Sequence, residues 1–243
     1  MVNVSIHDLR PGCVFNTNSG PSVTVVKIIS YKNIVVKFND DTGYQTEVNL
    51  NNLNAGRVKN PYHPNVYGMG YIGEGQYRAR VNVQRTPEYG AWYLMLQRCY
   101  DPVFHSRQPT YIGVTVCPEW LNFQNFAYWY CNQPQYNWNF ELDKDVLYPG
   151  NRIYSPMTSC LIPKEINNAF HQFQGYTPCH GKFMARINDN YLGIYDTPEE
   201  ALNIYLVAKQ SYLYELVNKW QYCISEEVQN AILDAADNLL CAG

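Results

Sequence analysis

Nowhere in this 243-residue chain do 18 apolar residues run together, and its first stretch, MVNVSIHDLRPG, has neither a basic segment nor an apolar one behind it. The first absence excludes a membrane-spanning helix and the second a secretory leader, so a soluble, cytoplasmic protein is the expectation. Charge is scarce as well. The 21 acidic residues outnumber the 18 basic ones, for a net charge of -3. That balance counts against a dedicated nucleic-acid binder, whose affinity comes largely from neutralised phosphates, although a local basic face can coexist with an acidic remainder.

Paired metal-ligand spacing is also missing. Eight cysteines (Cys13, Cys99, Cys117, Cys131, Cys160, Cys179, Cys223 and Cys241) include no CxxC, and the adjacent Cys179 and His180 have no second pair to complete a zinc site. Without a leader they read as reduced thiols, with Cys99 and Cys117 on apolar faces. Gly68, Gly70, Gly73 and Gly75 lack the strand-to-helix setting and following Lys-Ser/Thr that a phosphate cradle needs.

What the chain has in abundance is tyrosine, 22 residues of it, and asparagine. So much apolar ring surface excludes disorder. The length suits two or three small domains better than one, and three are expected. Residues 1–58 alternate as short strands, SVTVVKIIS, IVVKFND and YQTEVNL, with turns between, which predicts a small β-barrel of SH3-like size. Residues 59–87, rich in Gly, Pro and Tyr, read as a linker.

Residues 88–172 begin with two helical stripes, Tyr89, Trp92, Leu96 and Cys99, then Trp120, Phe123, Ala127 and Tyr130, both read as core. Between them TYIGVTVC reads as a strand, and Arg98 and Arg107 are the obvious cations of this region. From Phe140 the order is strand to Asp143, a Tyr148–Asn151 turn, a strand over Arg152–Ser155, and a helix through PKEINNAF. That is the order of a ββα metal finger.

Residues 173–243 carry the plainest local signals: two strands around an Asn188–Asn190 turn, then a helix opened by Thr197 as cap, Pro198 at its first position and Glu200 as reciprocal partner. Its stripe is Ala201, Tyr205, Ala208, Tyr212 and Leu216. Ser225 caps a last helix with Val228, Ile232, Ala235 and Leu239 inward. The fold class expected is therefore α+β: a small SH3-like barrel, a central ββα unit with aromatic helices, and a three-stranded sheet plus helix.

Gly181-Lys182-Phe183, Arg186-Ile187, Tyr191-Leu192-Gly193-Ile194-Tyr195 and Asp196-Thr197-Pro198-Glu199-Glu200-Ala201 together resemble an AP2 DNA-binding domain over about 30 residues. The resemblance implies that one sheet face enters the major groove of double-stranded DNA. Phe183, Arg186, Asn188 and Tyr191 would meet bases and Lys182 the backbone, with Arg186 suited to guanine and Asn188 to adenine.

WYLMLQRCY, YIGVTVCPEWLNFQNF, LDKD and NRIYSPMTSCLIPKEIN resemble bacteriophage HNH homing endonucleases that carry such a domain. The resemblance implies a degenerate HNH-like unit in the host-cell cytoplasm. In that family a histidine takes a proton from water, while an Asp and an Asn hold one divalent metal at the scissile phosphate. Asp143 stands at the acid's position, but Lys144 stands where the histidine belongs and is protonated at neutral pH. Ser155 takes the expected Asn position, with Asn151 and Asn167 nearby.

The catalytic candidates are thus Asp143, Lys144 and Asp145, and the metal candidates Asp143, Asn151 and Asn167. The leading expectation is a DNA-binding protein whose nuclease activity is lost. One alternative is a nicking endonuclease holding Mg²⁺ on Asp143, Asp145 and Asn151, with His171 or His180 as base. The other is a protein that binds a host or virion protein, suggested by the acidic balance and the Tyr/Asn-rich surface.

Overall fold

Val23 and Val25, then Ile34, Val36 and Phe38, alternate with more exposed neighbours, and that period of two dictates a half-buried sheet. In the computed structural model, which describes residues 4–136, 138–170 and 174–240, β1 (Val14–Thr17), β2 (Gly20–Ile28), β3 (Ile34–Phe38) and β4 (Gln45–Val48) form an antiparallel meander in that order. Among the described residues no pairing joins β1 to β4, so the sheet is open and the expected barrel is not closed. Helix α1 (Leu50–Asn54), capped by the Asn49 side chain on the Asn52 amide, brings Leu50 and Leu53 to the same core.

The chain divides into two compact units, Met1–Ile112 with Val116–Tyr128, and Gly113–Thr115 with Trp129–Gly243. In the first unit a short hairpin, β5 (Arg80–Val81) and β6 (Gln84–Arg85), leads into α2 (Pro87–Tyr100), α3 (Pro102–Arg107) and a 3₁₀ turn at Pro109–Tyr111. The expected strand over TYIGVTVC shortens to β7 (Thr115–Val116). Next come α4 (Pro118–Leu121) and α5 (Phe123–Cys131).

Trp92, Met95 and Leu96 of α2 pack with Trp120, Phe123 and Phe126, all fully buried, and the Trp92 indole N–H donates to the Trp120 carbonyl at 2.7 Å. The glycines of 59–87 serve this packing. A Cβ at Gly70 would stand 2.3 Å from Leu96, and one at Gly73, whose φ is +70°, would stand 2.2 Å from the Asn122 side chain.

In the second unit β8 (Glu141–Asp143) precedes β9 (Ile153–Tyr154), β10 (Cys160–Ile162) and α6 (Lys164–Ala169). The antiparallel partner of β8 is β10, with Asp143 opposite Cys160. The strand expected over Arg152–Ser155 forms as β9 but pairs with β7, so the strand that lies beside β8 is Cys160–Ile162. Ser155 instead opens a turn whose hydroxyls and backbone close through Thr158 and Ser159.

Strands β11 (Tyr176–Cys179), β12 (Lys182–Ile187) and β13 (Asn190–Tyr195) form an antiparallel sheet against α7 (Pro198–Trp220). The Thr197–Glu200 capping box is fully formed. Helix α8 (Glu226–Asn238) follows, inward at Val228, Ile232 and Ala236. The C-terminal half of α7, with Leu213, Leu216 and Val217, shares a core with α6 and α8. The architecture is mixed α and β with several small sheets, and among the described residues no helix is long and apolar enough to cross a membrane.

Candidate functional site

At the end of β8 the chain turns sharply, and Asp143 makes the turn: its Oδ1 accepts the backbone N–H groups of Asp145 and Val146 at 2.8 and 2.7 Å. Burial raises the Asp143 pKa from its ordinary value despite those two donors. Lys144 follows, only 6% exposed. Its Nζ donates to both carboxylate oxygens of Asp145 at 2.7 Å and to the Asn151 carbonyl at 2.8 Å. An ammonium has three N–H donors and no lone pair, so all of its hydrogen-bonding capacity is occupied within the loop. Lys144 therefore cannot take a proton from water in this arrangement.

The metal candidates are engaged in the same way. Asp145 has both oxygens on Lys144. The Asn151 amide N–H₂ donates to the carbonyls of Lys144 and Ile153 at 2.9 and 2.7 Å, and its Oδ1 accepts the Ile153 N–H at 3.2 Å. Asn167 donates to Glu141 Oε2 at 2.6 Å, which fastens α6 to the start of β8. Among the described residues no group of three His, Cys, Asp or Glu side chains could hold a metal ion. Mg²⁺ wants near-octahedral oxygen ligands, whereas Asp143 Oδ1, both Asp145 oxygens and Asn151 Oδ1 already accept from donors of the loop itself. The donor set as arranged does not fit that ion. His180 lies in the two-residue turn between β11 and β12, and His171 lies outside the described residues.

On the β12–β13 hairpin the two cations are paired. Lys182 meets Asp196 at 2.7 Å and Arg186 meets Asp189 at 3.5 Å, all four groups exposed. The hairpin thus presents no net positive face through these residues. Tyr191, opposite Arg186, is 64% exposed. Phe183 shares the side of the strand that buries Ala185 and stacks edge-on against Tyr176. Asn188 sits in the turn at φ +50° and Arg186 Nε donates to its carbonyl.

The residues that sequence reasoning misses are in the first unit. Strands β5 and β6 place Arg80 directly opposite Arg85, with Arg78 just ahead, and all three are exposed. Like charges in facing positions destabilise a strand pair. The Arg85 guanidinium lies 4.1 Å from the centre of the Tyr93 ring, a cation–π contact that holds it to α2. The turn between is Asn82-Val83, with φ of +48° and +70°, and Val83 is 84% exposed. The available signal is the run RARVNVQR, three arginines in eight residues with no acid between Glu74 and Glu88.

Comparison with protein-family models, with curated proteins and with solved structures finds no match.

Proposed function

We propose that the chain is a double-stranded-DNA-binding protein, akin to phage HNH/AP2 proteins, whose finger has kept its shape and lost its hydrolytic chemistry. The observation that carries the binding half is the facing pair Arg80 and Arg85 beside Arg78 in an exposed hairpin. Phosphates supply the counter-charge that this strand pair lacks, and an apolar tip such as Val83 suits the edge of a groove. The loss of chemistry rests on Lys144, whose three donors are held by Asp145 and Asn151. Grip by Lys182, Arg186, Asn188 and Tyr191 is a second contact in this reading, one that requires the Asp189 and Asp196 pairs to open.

A second reading, binding of a host or virion protein, draws support from those same ion pairs and from exposed Tyr191 and Ile194 on one hairpin. Incubation with supercoiled plasmid, with and without Mg²⁺ or Mn²⁺, at low and moderate salt separates the cases. A salt-sensitive shift without nicking is the expected result. Metal-dependent nicking would overturn the loss of chemistry, and no shift even at low salt would favour the protein partner.

A further inference from the structure

Helix α7 buries a row at four-residue spacing: Ala201, Tyr205, Lys209, Leu213 and Val217. Four of these are ordinary core residues, and the middle one is a lysine that is 9% exposed. Its Nζ donates to the carbonyl of Ala169, the last residue of α6, and among the described residues no carboxylate pairs with it. A buried ammonium with one acceptor for three donors is costly to hold. Burial accordingly lowers its pKa from the ordinary lysine value.

Lys209 lines a cavity of about 570 Å³ between the three-stranded sheet and the helices, a size typical of small-molecule sites. Tyr176, Tyr205 and Tyr212 line it too, with Arg186 and Asn188, and among the described residues no aspartate or glutamate does. Lys209 has no carboxylate partner and Arg186 only the exposed Asp189 at 3.5 Å, so an anion in the cavity supplies the first with a counter-charge and can draw the second from its surface pair. Three tyrosines call for a flat ring beside it.

We propose that this cavity binds a nucleoside monophosphate, with the phosphate on Lys209 and Arg186 and the base among Tyr176, Tyr205 and Tyr212. The inference turns on Lys209, which the DNA-binding reading does not use; Arg186 and Asn188 enter that reading as its second contact, so Lys209→Met tests the cavity apart from it. Calorimetric titration of the full chain with AMP, GMP, CMP and UMP, with the matching nucleosides and with inorganic phosphate tests it. At least one nucleotide should bind, about tenfold or more tighter than its nucleoside and than inorganic phosphate. Lys209→Met should reduce that affinity by about tenfold or more with its circular dichroism unchanged. If Lys209→Met does not fold, Arg186→Gln at the exposed rim gives the reading instead, with a several-fold loss expected. Absence of binding by every nucleotide, equal binding of inorganic phosphate, or unchanged affinity in the variant that folds overturns the proposal.

Discussion

Lys144 and Asn151 exchange hydrogen bonds in both directions: the lysine ammonium donates to the asparagine carbonyl at 2.8 Å, and the asparagine amide donates to the lysine carbonyl at 2.9 Å. The loop between them is thereby closed at its base. The fastening takes up the Lys144 ammonium, the Asp145 carboxylate and the Asn151 amide together.

Removing either end should show as lost stability. Lys144→Ala strips a donor from the Asn151 carbonyl and the partner from Asp145, and a cost of about 1–3 kcal/mol is expected. Asn151→Ala should cost a similar amount. Because the two act on one loop, the double variant should lose less than the sum of the singles. Urea midpoints of the four proteins measure this, and strict additivity would contradict a shared fastening.

Replacing Arg78, Arg80 and Arg85 by glutamine should flatten the salt dependence of DNA binding. Each arginine that meets a phosphate contributes about one unit to the slope of log affinity against log salt. The triple variant should therefore lose about three units, and affinity at low salt should fall for any sequence. An unchanged slope would place the phosphate contacts elsewhere, Lys182 and Arg186 being next in line.

Val83 is a β-branched residue at φ +70°, a conformation that glycine and asparagine adopt readily and that strains a β-branched side chain. Val83→Gly removes that strain at some entropic cost, so the hairpin should gain up to about 1 kcal/mol locally. Hydrogen exchange of the Arg80–Arg85 amides should slow. If DNA binding falls while the hairpin tightens, the valine side chain itself touches the duplex.

Glu165 on α6 accepts from Lys219 at 2.6 Å and Trp220 at 3.1 Å on α7. Burial alone would raise its pKa, but these hydrogen bonds and the ammonium's charge outweigh burial and hold it below the ordinary value. A carboxyl lowered in the folded state binds fewer protons there than when unfolded. Its stabilisation is present above the ordinary pKa and disappears as pH falls through the lowered one. Asp143, raised by burial, runs the opposite way: stability falls as pH climbs from its ordinary value through its raised one. Unfolding midpoints from about pH 3 to about pH 7 should thus fall less steeply toward acid in Glu165→Gln than in the parent, and show less counter-slope in Asp143→Asn.

Features governed by neighbours along the chain are legible from the residues alone. Thr197, Pro198 and Glu200 specify a helix start within four residues, and the apolar stripes around Trp92 and Trp120 need only helical periodicity. The β8–β10 pairing is different, because each strand has three residues and its partner is chosen by the loop that Lys144 and Asn151 fasten. Residues 80–85 hide their hairpin because a valine stands where turn rules expect glycine or asparagine. That Lys144 stands between two aspartates is visible in the sequence, whereas the occupation of all three of its donors is not. Lys209 escapes a pattern reading altogether: a lysine counts as surface until the row of residues four apart is seen to be buried.

The first unit includes Val116–Tyr128 while Gly113–Thr115 belongs to the second, where the Thr115 amide donates to the Arg152 carbonyl at 2.9 Å. The emerging chain thus visits the second unit, returns to the first and leaves again. During synthesis the first unit is incomplete until Tyr128 has cleared the ribosome, and Thr115 waits nearly forty residues for its acceptor, so this short segment is made well before the unit it joins.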